Sequence, residues 1–249
     1  MKWDALEPHR GDFNPDIPDL MIDWARLNNI SVRGHSLLWH QSQPSWTMDM
    51  FGQDFTAAMF QHLDNTLDHF DPLGVKVWDV INEMVDQGNA DHTFYIEHSE
   101  DPDIRAKIYR HVKERYPDTV FFVNDYGIIT DSHDRFSMYQ QLIRDLLSAG
   151  APLDAIGIQC HLNGRKKELV NITESLESGD TFLDWRAMKA RLDLLWEEFG
   201  LPIWATEFDW NWHEAADFGD HSYHAEVLDS FYRLMFSHQV KLSTGHRVR

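Results

Sequence analysis

Residues 76–83 read KVWDVINE, a run of apolar and β-branched residues that closes on an asparagine and a glutamate. A short run that is apolar on both faces is the pattern of a parallel strand covered on both sides. Four further runs share it: Ile30 to Trp39, Val120 to Asp125, Ala155 to His161 and Pro202 to Asp209. Between them apolar residues recur three and four apart, which predicts helices. The stripes are Ile17, Leu20, Met21 and Trp24, then Met138, Leu142, Ile143 and Leu146. Two more follow: Trp185, Met188, Leu192, Leu195 and Phe199, and finally Val227, Phe231, Leu234 and Met235. Gly150 and Gly200, with Pro152 and Pro202 just beyond, stand where helices should end. Alternating strands and helices mean a parallel sheet, and no glycine-rich phosphate turn follows an early strand. The expected fold is therefore α/β, a (β/α)8 TIM barrel, rather than a doubly wound nucleotide-binding sheet. Successive strands start about 43 residues apart, so eight units would need about 344 residues against the 249 present. The expectation from the spacing is an incomplete barrel with five of its strands recognisable. It is expected to form a single, partial barrel domain over residues 1–249, with an atypical polar tail at 241–249.

Composition narrows the partners. Lys and Arg number 22 against 41 Asp and Glu, a net charge of −19, so the overall field repels polyanions and excludes nucleic acid and anionic membrane surfaces. Hydrophobic residues at 43% and aromatics at 13%, ten tryptophans among them, rule out intrinsic disorder and suit a globular protein. The single cysteine, Cys160, cannot form an intrachain disulfide. No 18-residue apolar run exists, and the start, MKWDALEPHRGDF, lacks the apolar segment of a signal peptide. The fifteen histidines never fall in an HExxH pattern, and no GxSxG elbow is present, so neither a metal centre nor a serine nucleophile is expected. Strand alternation sends Cys160 and His161 to opposite faces, which argues against a Cys–His pair.

The expected strands end in reactive polar groups: His35 and Trp39, Asn82 and Glu83, Asn124 and Asp125, Gln159 and His161, and Glu207 with Asp209. A barrel collects such ends on one face, where its active site is built. Glu83 and Glu207 each follow an apolar, tryptophan-containing run. Two carboxyls in different surroundings can divide acid from nucleophile, the arrangement that cleaves glycosidic bonds. Indole faces stack on pyranose rings, which offers Trp3, Trp39, Trp46, Trp78, Trp204, Trp210 and Trp212 a role beside a sugar, with packing in the core as the alternative for each. Trp24, Trp185 and Trp196 lie on helix stripes and are expected in the core.

In their order and separation, MKWDALEPHRGDF, RGHSLLWH, WDVINE, FVNDYGI, IGIQCHL and WATEFD resemble family 10 glycoside hydrolases, retaining endo-β-1,4-xylanases on a (β/α)8 barrel. The similarity runs from Met1 to about His238. The resemblance implies that Glu83 is the general acid/base and Glu207 the nucleophile. It implies that Asn82 holds the sugar 2-hydroxyl, that His161 and Asp209 orient Glu207, and that Gln159 packs beside it. Lys2, His35 and Trp39 match residues lining the subsites on the non-reducing side, and Ser42 stands where the family has a glutamine. Xylan or xylo-oligosaccharides are the implied substrates, no cofactor is needed, and the implied site of action is extracellular. The resemblance also implies that the first two strands and the eighth lie outside this chain, so that the recognisable strands are strands 3 to 7 of the barrel. The alternative is an inactive barrel remnant that binds carbohydrate or self-associates through open sheet edges.

Overall fold

A computed structural model describes residues 1–85, 93–130, 134–163, 165–166, 182–211 and 221–237. In chain order the elements are α1 (Trp3–Leu6), α2 (Asp16–Leu27), β1 (Leu38–Trp39), α3 (Gly52–Phe70), β2 (Val77–Asn82), α4 (Phe94–Ser99), α5 (Ile104–Arg115) and β3 (Val120–Asp125). There follow α6 (Arg135–Ser148), β4 (Ala155–Asn163), β5 (Arg165–Lys166), β6 (Phe182–Leu183), α7 (Trp185–Phe199), β7 (Ile203–Asn211) and α8 (His221–Ser237). The main sheet has the order β1-β2-β3-β4-β7, and β5 pairs with β6 in a separate ribbon. Strand order follows chain order without reversing, so the sheet has no switch point of the doubly wound kind. Trp212 and the tail at 241–249 lie outside the described residues. The chain divides into two compact units, Met1–Asp125 with Met138–Ile156, and Tyr126–Ser137 with Gly157–Arg249.

In the first unit β1, β2 and β3 are parallel, with Leu38 opposite Ile81 and Trp78 opposite Phe121. The register of β2 on β3 shifts between Asp79 and Ile81. Helix α3 covers this unit because Phe55, Met59, Leu63, Leu67 and Phe70, three or four apart, all bury fully. The strand expected over Ile30 to Trp39 contracts to Leu38–Trp39, preceded by an isolated bridge from Gly34 to Trp78. The reason is steric. A Cβ on Gly34 would lie 2.1 Å from the Trp78 ring, so the chain crosses β2 there as bare backbone and does not pair continuously.

Helix α2 forms as its periodicity predicts, but its stripe does not enter the core. Trp24 is 61% exposed and Ile17, Leu20 and Met21 are between 65% and 68% exposed, whereas Ile22 and Ala25 are the buried residues. This corrects the core assignment of Trp24. Among the described residues no element covers the stripe, and it forms one wall of an apolar groove of about 520 Å³ that Val32 and Met1 also line. Trp185 and Trp196, expected in the core, are half-buried.

In the second unit α7 starts at Asp184, whose carboxylate accepts from Arg186 N at 3.1 Å and Ala187 N at 3.2 Å. It stops at Gly200, which takes φ +62°. Met188, Leu192 and Leu195 of α7 are buried, as are Val227, Phe231, Leu234 and Met235 of α8. The Phe208 and Phe231 rings stack at 4.2 Å. Cys160 is a free, buried thiol, and burial pushes its pKa up. No helix among the described residues is long and apolar enough to cross a membrane.

Candidate active site

The first unit carries five of the expected residues. Glu83 directly follows β2, is 8% exposed, and adopts φ +59°, a left-handed conformation that a side chain other than glycine rarely takes. Its amide donates to Asn124 O at 2.9 Å. An outlier of this kind at the end of a buried strand is typical of a site where the surrounding structure over-determines a reactive group. The indole Nε1 of Trp39 donates to Glu83 Oε2 at 3.0 Å. Over that indole sits Lys2, with Nζ 4.1 Å from the ring centroid. Gln43 holds the same segment by donating to Trp39 O at 3.2 Å and to the Tyr95 hydroxyl. Ser42, in the position the family gives to glutamine, is buried.

Asn82 is buried beside Glu83, and its Oδ1 accepts from Asn124 Nδ2 at 3.0 Å. Asn124 and Asp125, expected among the reactive strand ends, are fully buried, and Asp125 Oδ2 accepts from Val85 N at 2.9 Å. Both therefore brace the turn that carries Glu83. His35 lies with its ring 6.3 Å from that of Trp39, and its Nδ1 is 2.8 Å from Asp79 Oδ2. Asp79 is not among the expected residues. Its only signal in the sequence is a lone carboxylate inside the apolar run VWDVIN.

The second unit carries the other four. Glu207 and Asp209 alternate on β7, which extends past the expected end to Asn211, and His161 sits on β4, which extends to Asn163. Residues two apart on a strand share a face, so Glu207 and Asp209 point the same way, as do Gln159 and His161. His161 bridges both acids, with Nδ1 2.5 Å from Asp209 Oδ2 and Nε2 3.1 Å from Glu207 Oε2. Burial works against the charged imidazolium, but the hydrogen bond and charge of Asp209, together with Glu207, outweigh it and raise the His161 pKa. Gln159 is buried on the same strand.

The tryptophans divide. Trp39, Trp46, Trp204 and Trp210 are partly exposed. Trp3 and Trp78, expected to flank a sugar, are instead buried. Trp3 stacks on His62 at 4.5 Å and donates from Nε1 to Glu7 Oε2 at 3.1 Å, while Trp78 donates to Val75 O at 3.0 Å. Neither indole face is open to a ligand. Among the described residues no group of three His, Cys, Asp or Glu side chains is arranged to hold a metal ion.

Comparison with known proteins gives the same outline. Residues 1–209 match the family model "Glycosyl hydrolase family 10". Endo-1,4-beta-xylanase A of Thermoanaerobacterium saccharolyticum is 32% identical over 225 residues, covering 85% of this chain and 18% of that protein. The chain likewise spans 33% and 56% of two other curated xylanases. The crystal structure of TsXylA, described as an intracellular xylanase from T. saccharolyticum JW/SL-YS485, superposes with a TM-score of 0.76 at 25% identity, over 94% of this chain and 70% of that one. Xylanase 10B from Thermotoga petrophila RKU-1, solved in complex with xylobiose, superposes with a TM-score of 0.77 at 25% identity, over 95% of this chain and 68% of that one. The fold is thus an incomplete (β/α)8 barrel, and the chain belongs to glycosyl hydrolase family 10.

Proposed function

We propose that this chain is a retaining endo-β-1,4-xylanase that cuts internal bonds of xylan by double displacement. The observation that carries the reading is the His161 bridge: one imidazole hydrogen-bonded to Glu207 and to Asp209. An imidazole N–H donating to Glu207 Oε2 aims that carboxylate, as a nucleophile requires. Glu207 attacks the anomeric carbon while Glu83 gives its proton to the departing glycosidic oxygen. A glycosyl ester on Glu207 results. Glu83, now a carboxylate, then takes a proton from water, which attacks the same carbon from the opposite side and frees Glu207 with net retention. This mechanism works with the two carboxyl groups about 5 to 5.5 Å apart.

In this reading Asn82 holds the sugar 2-hydroxyl, His161 and Asp209 orient Glu207, and Gln159 packs beside it. Lys2, His35 and Trp39 line the subsites on the non-reducing side of the cut. In the same reading residues 1–249 are part of a single catalytic barrel domain that acts on xylan or xylo-oligosaccharides, with no cofactor. Because a wall polysaccharide does not enter cells, the proposed site of action is extracellular. The test is reducing-sugar release from xylan by the wild type and by Glu207→Ala. Release by the wild type with none above background for the variant supports the reading, and equal release overturns it.

A further inference from the structure

Three ties join the segment carrying His35 to a single residue of β2. Asp79 N donates to Gly34 O at 3.1 Å, Leu37 N donates to Asp79 O at 2.9 Å, and the Asp79 side chain meets His35 Nδ1 at 2.8 Å. The same oxygen, Oδ2, also accepts from the Arg33 guanidinium. Asp79 is fully buried, while the side chains of Arg33 and His35 remain 21% and 27% exposed. Asp79 Oδ1 is buried and accepts no hydrogen bond, so the hold of the carboxylate is concentrated on Oδ2.

This geometry settles which way round the imidazole works. A carboxylate whose oxygen already serves a guanidinium is an acceptor only, so the nitrogen facing it must carry the hydrogen. A neutral imidazole has one N–H, and with Nδ1 as donor Nε2 is left with its lone pair. We infer that Asp79 is a positioning residue that fixes His35 as the Nδ1–H tautomer and presents Nε2 as an acceptor for a substrate hydroxyl. The substrate half of this statement rests on the glycosidase reading above, whereas the tautomer half stands on the geometry alone. Asp79 touches no substrate. It acts through His35, and Arg33 balances its charge.

The experiment is long-range 15N–1H correlation on the labelled full chain at mildly alkaline pH, with the His35 signals assigned by their loss in His35→Asn. Protonated Nδ1 and unprotonated Nε2 in the wild type support the inference, and the Nε2–H tautomer overturns it. Asp79→Asn, which can present either an acceptor or a donor, should mix the two tautomers, and an unchanged single tautomer overturns the role of Asp79. Where Asp79→Asn does not fold, His35→Asn decides. Its amide can still donate to Asp79 but it has no acceptor in place of Nε2. Calorimetric affinity for a xylo-oligosaccharide should fall about tenfold in this variant, the size of one lost hydrogen bond. Unchanged affinity overturns the inference. A wild type that neither binds nor cuts xylo-oligosaccharides would count against the glycosidase reading and leave the tautomer result standing.

Discussion

Glu83 receives a neutral indole N–H on a strained turn; Glu207 faces an ionisable imidazole from a regular strand. Glu83 sits in a left-handed conformation with Trp39 Nε1 on its Oε2, buried Met84 and Val85 just after it, and Asn82 beside it. Glu207 sits within β7, more exposed, under a histidine that a second acid holds. In the proposed mechanism this contrast would let one side-chain type serve two roles. A carboxyl that must pass a proton back and forth is best served by neutral donors. A carboxylate that must attack is best held in place by a fixed hydrogen-bond donor.

The largest expected effect separates the two directly. Glu207→Ala should lower kcat/KM by about 10⁵-fold on xylan and on activated aryl xylosides alike, because no leaving group compensates for a missing nucleophile. Glu83→Ala should cost about 10³-fold on xylan. It should spare the first step on a dinitrophenyl xyloside, whose leaving group needs no proton, and added azide should restore turnover. Equal sensitivity of both variants to leaving group would erase the distinction between the two regions.

Acidity should act on the regions with opposite sign. His62, in the first unit, is fully buried against Trp3 and is 3.0 Å from Leu37 O, and burial lowers its pKa from 6.5 to about 3. The unfolded chain takes up this proton first, so the contribution of His62 is fully present above pH 6.5 and is lost as pH falls towards 3. The loss is about 1.4 kcal/mol per pH unit, on the order of 3 kcal/mol by pH 4.5. Urea unfolding at pH 7 and 4.5 should show it, and His62→Phe, which keeps the stack on Trp3, should remove it. In the second unit His161 has a raised pKa, so its ion pairs are fully formed below the ordinary histidine value and are lost as pH rises through the folded value. The smallest effect follows: His161→Gln should lower kcat roughly tenfold and flatten the alkaline limb of the rate profile. An unchanged alkaline limb would show that Glu207 does not depend on this histidine.

The parts of the fold that are legible in the sequence are those where one local rule acts alone. The run ending in Asn82 is readable because β2 is buried on both faces. Gly150 and Gly200 are readable because both take positive φ at helix ends. Residues 30–37 read as strand and are not, because the close crossing of Gly34 over Trp78 is a tertiary event with no periodic signature. Trp24 misleads for a related reason: periodicity shows that a helix has an apolar face, and not what lies against it. In the site, the two glutamates stand out as polar ends of apolar runs. Asp79 does not, because its partners Arg33 and His35 are more than 40 positions away in the chain. Trp3 and Trp78 cannot be told from sugar platforms, since an indole in a core and one beside a ligand look alike in sequence.

The division of labour between the two carboxyls is tested most directly by trapping the covalent intermediate. The protein is incubated with a 2-deoxy-2-fluoro-xylobioside bearing a dinitrophenolate leaving group, digested, and its peptides are mapped by mass spectrometry. One fluoroglycosyl ester is expected, on Glu207, and none on Glu83. An adduct on Glu83 or on any other carboxylate, or xylan hydrolysis that proceeds with inversion and leaves no adduct, would contradict this division.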